Sequence, residues 1–166
     1  MSWSPSTDNM HFPLIGLHAW LGEFAAVMFV WAFIEMLTGA ERNVQRARLA
    51  TLLGLVLVFA AWLAGGFYYV EIYGAGVKPV IKQGPMPWAH SILMETKEHV
   101  FIFLPFLAFL AHEMLKRLSA NLPRGVILRK PTQYLLGFLA LMTGSMALFG
   151  FLVSSGFRAA LEQVVL

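Results

Sequence analysis

The sequence contains no cysteine among its 166 residues. This absence excludes disulfides, iron–sulfur clusters and thiolate metal sites, and it excludes a covalently attached c-type haem, which needs a Cys-x-x-Cys-His motif. Any metal must therefore be held by histidine, methionine or carboxylate side chains. Charged residues are also scarce, since they make up 13% of the chain, about half of the share that is usual in soluble domains. The composition therefore indicates a membrane protein.

Several motifs of well-known enzyme classes are missing as well. The chain has no phosphate-binding glycine loop, no nucleophilic triad pattern and no metalloprotease helix. The paired Glu-x-x-His motifs of di-iron carboxylate bundles are absent too. The net charge is +3, but membrane topology explains where the basic residues fall, so we expect no nucleic-acid partner. Whether the protein is an enzyme stays open at this stage.

Hydrophobic residues make up 58% of the chain, and they form runs long enough to cross a membrane. A transmembrane helix needs about 20 mainly apolar residues. The sequence therefore predicts one transmembrane domain over residues 1–166, an all-α integral membrane four-helix bundle in contact with the lipid bilayer. We expect its helices at about residues 14–37, 49–73, 88–118 and 132–157.

The distribution of basic residues predicts the orientation of these helices. The two predicted connections on one side hold Arg42, Arg46, Arg48, Lys116, Arg117, Arg124, Arg129 and Lys130. The opposite side holds Lys78, Lys82, Lys97 and Arg158. Because loops rich in Lys and Arg stay in the cytoplasm, both termini should face the outer, periplasmic side of a cell inner membrane. No basic residue precedes the first helix, which argues against a cleaved secretory signal.

Glycine, proline and aromatic residues predict a loop on the outer side, a kink in the third helix and an aromatic belt. Residues 74–87 are rich in glycine and proline, so we expect a loop there. Pro105 should kink the third helix, because its ring removes a backbone donor and crowds the preceding turn. An outer aromatic belt at the level of the lipid headgroups is predicted for Trp20, Tyr68, Tyr69, Tyr73 and Trp88.

Ionisable residues concentrate on the first and third helices, and His18 and His99 are the most notable. Both lie near the outer boundary of helices that run in the same direction, so their imidazoles should lie at similar depth and could bind one haem iron. Gly22 follows His18 at helical spacing and would let a flat macrocycle approach the backbone. Glu95 precedes His99 by one turn and could orient its imidazole. His112 has no second histidine at its own depth, so a second haem is not expected.

Helical periodicity predicts which side of the third helix faces the bundle. At about 100° per residue, one stripe contains Glu95, Glu98, His99, Ile102, Phe106, Phe109 and Glu113. We expect this stripe to face the other helices, with His90, Lys97 and His112 on a neighbouring face. An alternative for Glu95, Lys97 and Glu98 is the solvated face of a helix that protrudes from the membrane.

A copper site is an alternative to haem. Met86, His90 and Met94 recur at i, i+4 and i+8, with Met10 and His11 near on the outer N-terminal segment. Thioether and imidazole ligands together suit copper(I).

Four membrane helices with His18 on the first and His99 on the third resemble small bacterial b-type cytochrome membrane subunits. The resemblance implies a non-covalently bound haem b and electron exchange between a quinone and a partner, either a periplasmic redox protein or another membrane subunit. A different hypothesis is a cofactor-free accessory or assembly subunit of a larger membrane complex. That hypothesis is favoured by small residues of the fourth helix that offer close-packing surfaces, namely Gly137, Gly144, Gly150 and Gly156.

Overall fold

The computed structural model describes residues 5–38, 40–120 and 126–165, and these are almost entirely helical. No strand occurs within those ranges. Helix α1 (Pro5–Thr38) is followed by α2 (Glu41–Tyr68). The chain then continues without interruption through a wider, π-helical segment, Tyr69–Val77, into α3 (Lys78–Gln83). The all-α prediction is confirmed for this part of the chain.

The described part of the second half of the chain is also helical. A π-helical segment, Ala89–Met94, leads into α4 (Glu95–Phe101). Two longer helices follow, α5 (Leu104–Ala120) and α6 (Val126–Val165).

These elements form four helical stretches that are long and apolar enough to cross a membrane. We call them the first to fourth spans: Pro13–Thr38, Arg42–Gln83, Ala89–Ala120 and Ile127–Gln163. The prediction of four membrane-length helices is therefore confirmed. The second and fourth spans are longer than expected, because hydropathy detects only the apolar middle of a helix and not its polar ends.

The expected loop at residues 74–87 is wrong over most of its length, because the chain stays helical as far as Gln83. Gly74 and Gly76 lie in the π-helical segment, where the turn is wider than in an α-helix. Pro79 lies in the first turn of α3, directly after the π-helical segment. The connection is thus reduced to residues 84–87, and Gly84 allows it to pack against the side chain of Ala160.

The helix of the third span is broken near Pro105, where the sequence predicts a kink. The span is interrupted at residues 102–103, between α4 and α5, where the Phe103 N–H donates to the Val100 carbonyl at 3.2 Å. Pro105 lies in the first turn of α5 and has no N–H with which to reach back across the break.

The helices approach closely through small residues. The first span packs against the second and fourth, and the second packs against α5. A Cβ atom placed on Gly54 would lie 2.8 Å from the Phe29 ring, and one on Gly137 would lie 3.1 Å from the Phe33 ring. Large apolar side chains such as Val56 and Phe151 point outward instead. Small residues inside and large apolar residues outside are typical of a bundle surrounded by lipid.

Most of the glycines of the fourth span serve packing within the chain. Gly137 faces Phe33, Gly150 faces the Lys97 ammonium, and Gly156 faces Ala89. Only Gly144 among the four glycines of the accessory-subunit hypothesis has open space where a side chain would begin. The other three are therefore not free for a partner helix.

One end of the bundle is held together by a buried carboxylate. Glu35 is 7% exposed, and its Oε1 accepts hydrogen bonds from Trp31 Nε1 at 2.9 Å and from Arg46 Nε at 3.0 Å. Gln133 Nε2 donates to the Met36 carbonyl at 2.6 Å. These contacts join the first, second and fourth spans at the end that carries most of the arginines, which we call the basic end. The opposite end, which carries the tyrosines of the Tyr69–Val77 segment, is the tyrosine end.

Replacing Arg46 with methionine should destabilise the protein by about 1–3 kcal/mol, because it leaves the buried Glu35 carboxylate without its charged donor. Thermal unfolding in detergent measures this loss. Adding Glu35→Gln to the Arg46→Met variant should recover part of the lost stability, since the amide carries no charge. Exposed Arg42 gives the matched control, Arg42→Met. An Arg46→Met variant as stable as this control would show that the contact is unimportant.

Candidate functional site

The third span presents a different face to the bundle from the one that periodicity predicts. His99, Ile102 and Phe106 are exposed, whereas Lys97 and Ala108 face the other spans. The expectation of a bundle-facing stripe from Glu95 to Glu113 is therefore wrong for most of its residues, although Glu98 does face inward. Most of the stripe stays together on one side of the helix, including Ile102 and Phe106 on either side of the break before α5, but that side faces outward. Aromatic side chains are also as well solvated by lipid as by protein, so they need not face inward.

His18 is enclosed by the second and third spans. A Cβ atom on Gly65 would lie 2.5 Å from His18 Cε1, so only glycine leaves room for the imidazole. The Nδ1 nitrogen lies 2.8 Å from the Ala61 carbonyl, to which it must donate. The other nitrogen, Nε2, then accepts from Lys97 Nζ at 3.4 Å. Both ring nitrogens of His18 are thus engaged.

Lys97 reaches into the middle of the bundle. Its ammonium contacts His18 on the first span, and it lies 3.0 Å from the position of a Cβ atom on Gly150 of the fourth span. The alternative that Lys97 belongs to a solvated helix face is therefore wrong. Among the described side chains, no carboxylate forms an ion pair with this ammonium. Lys97 is thus an enclosed side chain whose amino group contacts the imidazole of His18.

The two histidines predicted to hold haem b have different surroundings. His99 is exposed, and its Nδ1 donates to the main-chain carbonyl of Glu95 at 2.6 Å, not to the Glu95 carboxylate. Gly22 has open space above it and lines a small cavity of about 220 Å³ beside His18. Because His18 has no free ring nitrogen and His99 lies on the exposed face, these contacts do not fit a shared iron. The assignment of His18 and His99 as haem ligands stays a prediction.

Two of the tyrosines expected in an outer aromatic belt lie inside the bundle. Tyr68 and Tyr73 are buried, so the belt prediction is wrong for them. Tyr69 is partly buried, and its ring stacks on that of Tyr73 with 5.3 Å between the centroids. Trp20 and Trp88 are exposed. Tyr73 turns inward, where its hydroxyl contacts His90 of the third span.

The two π-helical segments meet at a buried pair of side chains. The Tyr73 hydroxyl, from the first segment, lies 3.0 Å from His90 Nδ1, from the second. His90 is 0% exposed, and its Nε2 has no hydrogen-bond partner. The nearest acidic atom to that nitrogen is Oε1 of Glu95, at 3.8 Å. The structure thus aligns Tyr73, His90 and Glu95.

The copper alternative loses its regular spacing. Met86 lies in the turn before the helix, and residues 89–94 follow wide π-helical turns. Met86 and Met94 both pack against the apolar cluster around Tyr73. The side chains of Met10 and His11 lie outside the described part of the chain. Within the described part, no group of three or more His, Cys, Asp or Glu side chains is arranged to hold a metal ion, and the copper site stays a prediction.

A cavity of about 830 Å³ occupies the tyrosine end. Its walls are mainly apolar and aromatic, and they include Ile15, Trp62, Leu63, Phe67, Val70, Val77, Phe101, Ile102, Val153, Phe157 and Leu161. Its polar lining consists of His18, Tyr68, Tyr69, Tyr73, Lys97, Glu98, Ser154 and Arg158. Several wall residues, such as Trp62 and Ile102, are also exposed, so the cavity opens at the side of the bundle.

Glu98 supplies the acidic group of this cavity. Its Oε1 is buried and has no hydrogen-bond partner, and its carboxylate lies beside the Tyr69 hydroxyl. An enclosed ammonium from Lys97 and an enclosed carboxylate oxygen from Glu98 therefore line the same apolar space. Such an arrangement can donate to one polar group of a ligand and accept from another.

No protein family, curated protein or solved structure matches this chain. The site is therefore defined by its own geometry. Sequence reasoning missed the inward position of Lys97 and the pairing of Tyr73 with His90. A signal for Lys97 exists in the sequence, because Lys97, Phe101, Leu104, Ala108 and Ala111 recur at intervals of three and four residues.

Proposed function

We propose that this multi-pass membrane protein is a redox subunit that binds a quinone in the cavity at the tyrosine end and exchanges its electrons with a partner redox protein. The observation that carries the proposal is that Lys97 and Glu98 both line one largely aromatic cavity. Its volume lies within the range of about 300–1,000 Å³ that is usual for small-molecule sites.

The two polar groups suit the two redox forms of a quinone ring. A quinone carries carbonyl oxygens that accept hydrogen bonds, and the Lys97 ammonium can donate to one of them. A quinol carries hydroxyl groups, and the free oxygen of Glu98 can accept from one of these. The aromatic walls suit the flat ring, and the side opening would let an isoprenoid tail extend into lipid.

Quinol oxidation requires a partner that accepts electrons. A quinol that becomes a quinone gives up two electrons and two protons, and a one-electron carrier would take the electrons in two successive steps. We propose a haem- or copper-containing redox protein, or another membrane subunit, on the outer side. The excess of basic residues at the opposite end of the bundle supports an outward, periplasmic position of both termini and of the cavity in a cell inner membrane.

A haem b held by His18 and His99 is the alternative electron carrier. Such a haem would give a Soret band in the purified protein, and either His18→Ala or His99→Ala would remove it. Both ring nitrogens of His18 already form hydrogen bonds within the protein, so we expect no Soret band. The optical spectrum of the oxidised and dithionite-reduced protein separates the two cases.

The quinone content of the purified protein tests the proposed quinone site. The protein is purified from quinone-containing membranes into nanodiscs, and extracted lipids are quantified by mass spectrometry. We expect about one quinone per chain, above the content of empty nanodiscs of the same lipid. Phospholipid without any enrichment of quinone would contradict the proposal.

A further inference from the structure

A row of polar groups connects the proposed quinone cavity to the surface. Tyr73 lines the cavity, and its hydroxyl contacts His90 Nδ1 at 3.0 Å. His90 is completely buried, and Nε2, on the opposite side of the imidazole, points toward Glu95 at 3.8 Å. The Glu95 side chain is 53% exposed. The row thus begins in the cavity and ends in contact with the surroundings.

A buried polar atom without a partner requires an explanation, because nearly all buried polar groups in proteins are hydrogen-bonded. His90 Nε2 is such an atom. One water molecule, or a small rotation of the half-exposed Glu95, would bridge the gap between them. Imidazole can accept a proton at one nitrogen while it releases another from the second. The orphaned nitrogen is therefore the position expected of a group that passes protons on.

We propose that Tyr73, His90 and Glu95 form a proton relay between the cavity and the outer surface. This inference rests on the proposed quinone site and assigns the route by which protons leave it. The two π-helical segments create the relay, because their wide turns bring Tyr73 and His90 together.

The relay moves one proton at a time, and the number of protons bound to the protein is the same before and after each transfer. A quinol hydroxyl gives a proton to the Tyr73 oxygen while the Tyr73 hydroxyl proton passes to His90 Nδ1. The proton on Nε2 then passes to the Glu95 carboxylate, which releases it to water. The proton that remains on Nδ1 then moves to Nε2 by tautomerisation, which leaves Nδ1 free to accept again before the next transfer. Each of the two protons of the quinol leaves in this way, while the electrons go to the redox partner.

Proton release during chemical oxidation tests the relay. The full chain in nanodiscs is loaded with decylubiquinol and mixed in a stopped-flow instrument with ferricyanide, a one-electron oxidant, and a pH-indicator dye reports proton release. We expect His90→Gln to slow release by about tenfold or more, as for loss of a proton-transfer group. Glu95→Gln, at an exposed position, should slow it as well without risk to folding.

Two controls separate the relay from the quinone site. His112→Gln, at the basic end, should release protons at the wild-type rate. Quinone content is measured in every variant and should be unchanged in His90→Gln and Glu95→Gln. Wild-type release rates in both of these variants, with quinone bound, would overturn the relay alone. A wild-type protein that binds no quinone would overturn the proposed function, and the relay with it.

Discussion

Replacing Lys97 with methionine should weaken the binding of decylubiquinone by about 10- to 100-fold. A hydrogen bond from a charged donor contributes about 1.5–3 kcal/mol, and the Lys97 ammonium is a charged donor that lines the cavity beside His18. Methionine has a similar length and keeps the apolar contacts of the side chain. Equilibrium titration of the protein in nanodiscs measures the dissociation constant.

Thermal unfolding of the same variant separates a binding effect from a folding effect. Lys97 has no carboxylate partner among the described residues, so its removal should leave stability unchanged or raise it. The control is Lys82→Met, at an exposed position of α3 outside the cavity lining, which should bind like the wild type. Equal affinity of Lys97→Met and the wild type would contradict the role of the ammonium.

Adding one methyl group at Gly65 should destabilise the protein by about 1–3 kcal/mol, as is usual for overpacking. A Cβ atom there would lie 2.5 Å from His18 Cε1 and 2.6 Å from His18 Nδ1. The imidazole must then move away, and its hydrogen bond to the Ala61 carbonyl is lost. Thermal unfolding of Gly65→Ala in detergent should show a midpoint lower by about 2–12 °C.

The neighbouring glycine provides a matched control. A Cβ atom on Gly66 meets no atom within 4 Å, so Gly66→Ala should be neutral or slightly stabilising, because alanine favours the helix. Combining Gly65→Ala with His18→Ala should restore the space and recover stability relative to Gly65→Ala alone. If Gly65→Ala unfolds at the same temperature as Gly66→Ala, the enclosed position of His18 is incorrect.

The sequence predicts the membrane helices well because their number depends on apolar length alone. A break near Pro105 follows from the missing N–H of one residue, and the helix is interrupted there at residues 102–103. The continuation of the second span past Gly74 and Gly76 was not predictable from composition, because glycine and proline at a helix end resemble a loop. Such residues mark a turn only where the helix is not supported by its neighbours.

The inward face of the third span could not be chosen from hydrophobicity, because lipid and protein interior are equally apolar. His99 and Phe106 were therefore assigned to the wrong side. The size of the side chains is the better guide. Ala108 and Ala111 face the bundle, and Lys97 continues their spacing toward the tyrosine end. The approach of Tyr73 to His90 depends on π-helical turns, for which the sequence carries no comparable signal.

Photoaffinity labelling with an azidoquinone tests the central claim most directly. After illumination of the full chain in nanodiscs, peptides are mapped by mass spectrometry. We expect labels on the segments that line the cavity, near Trp62–Tyr73, Lys97–Ile102 and Gly150–Leu161. Excess decylubiquinone should remove these labels, and Lys97→Met should weaken them. Labels spread evenly over lipid-facing residues of both ends, and insensitive to competitor, would contradict a quinone site in this cavity.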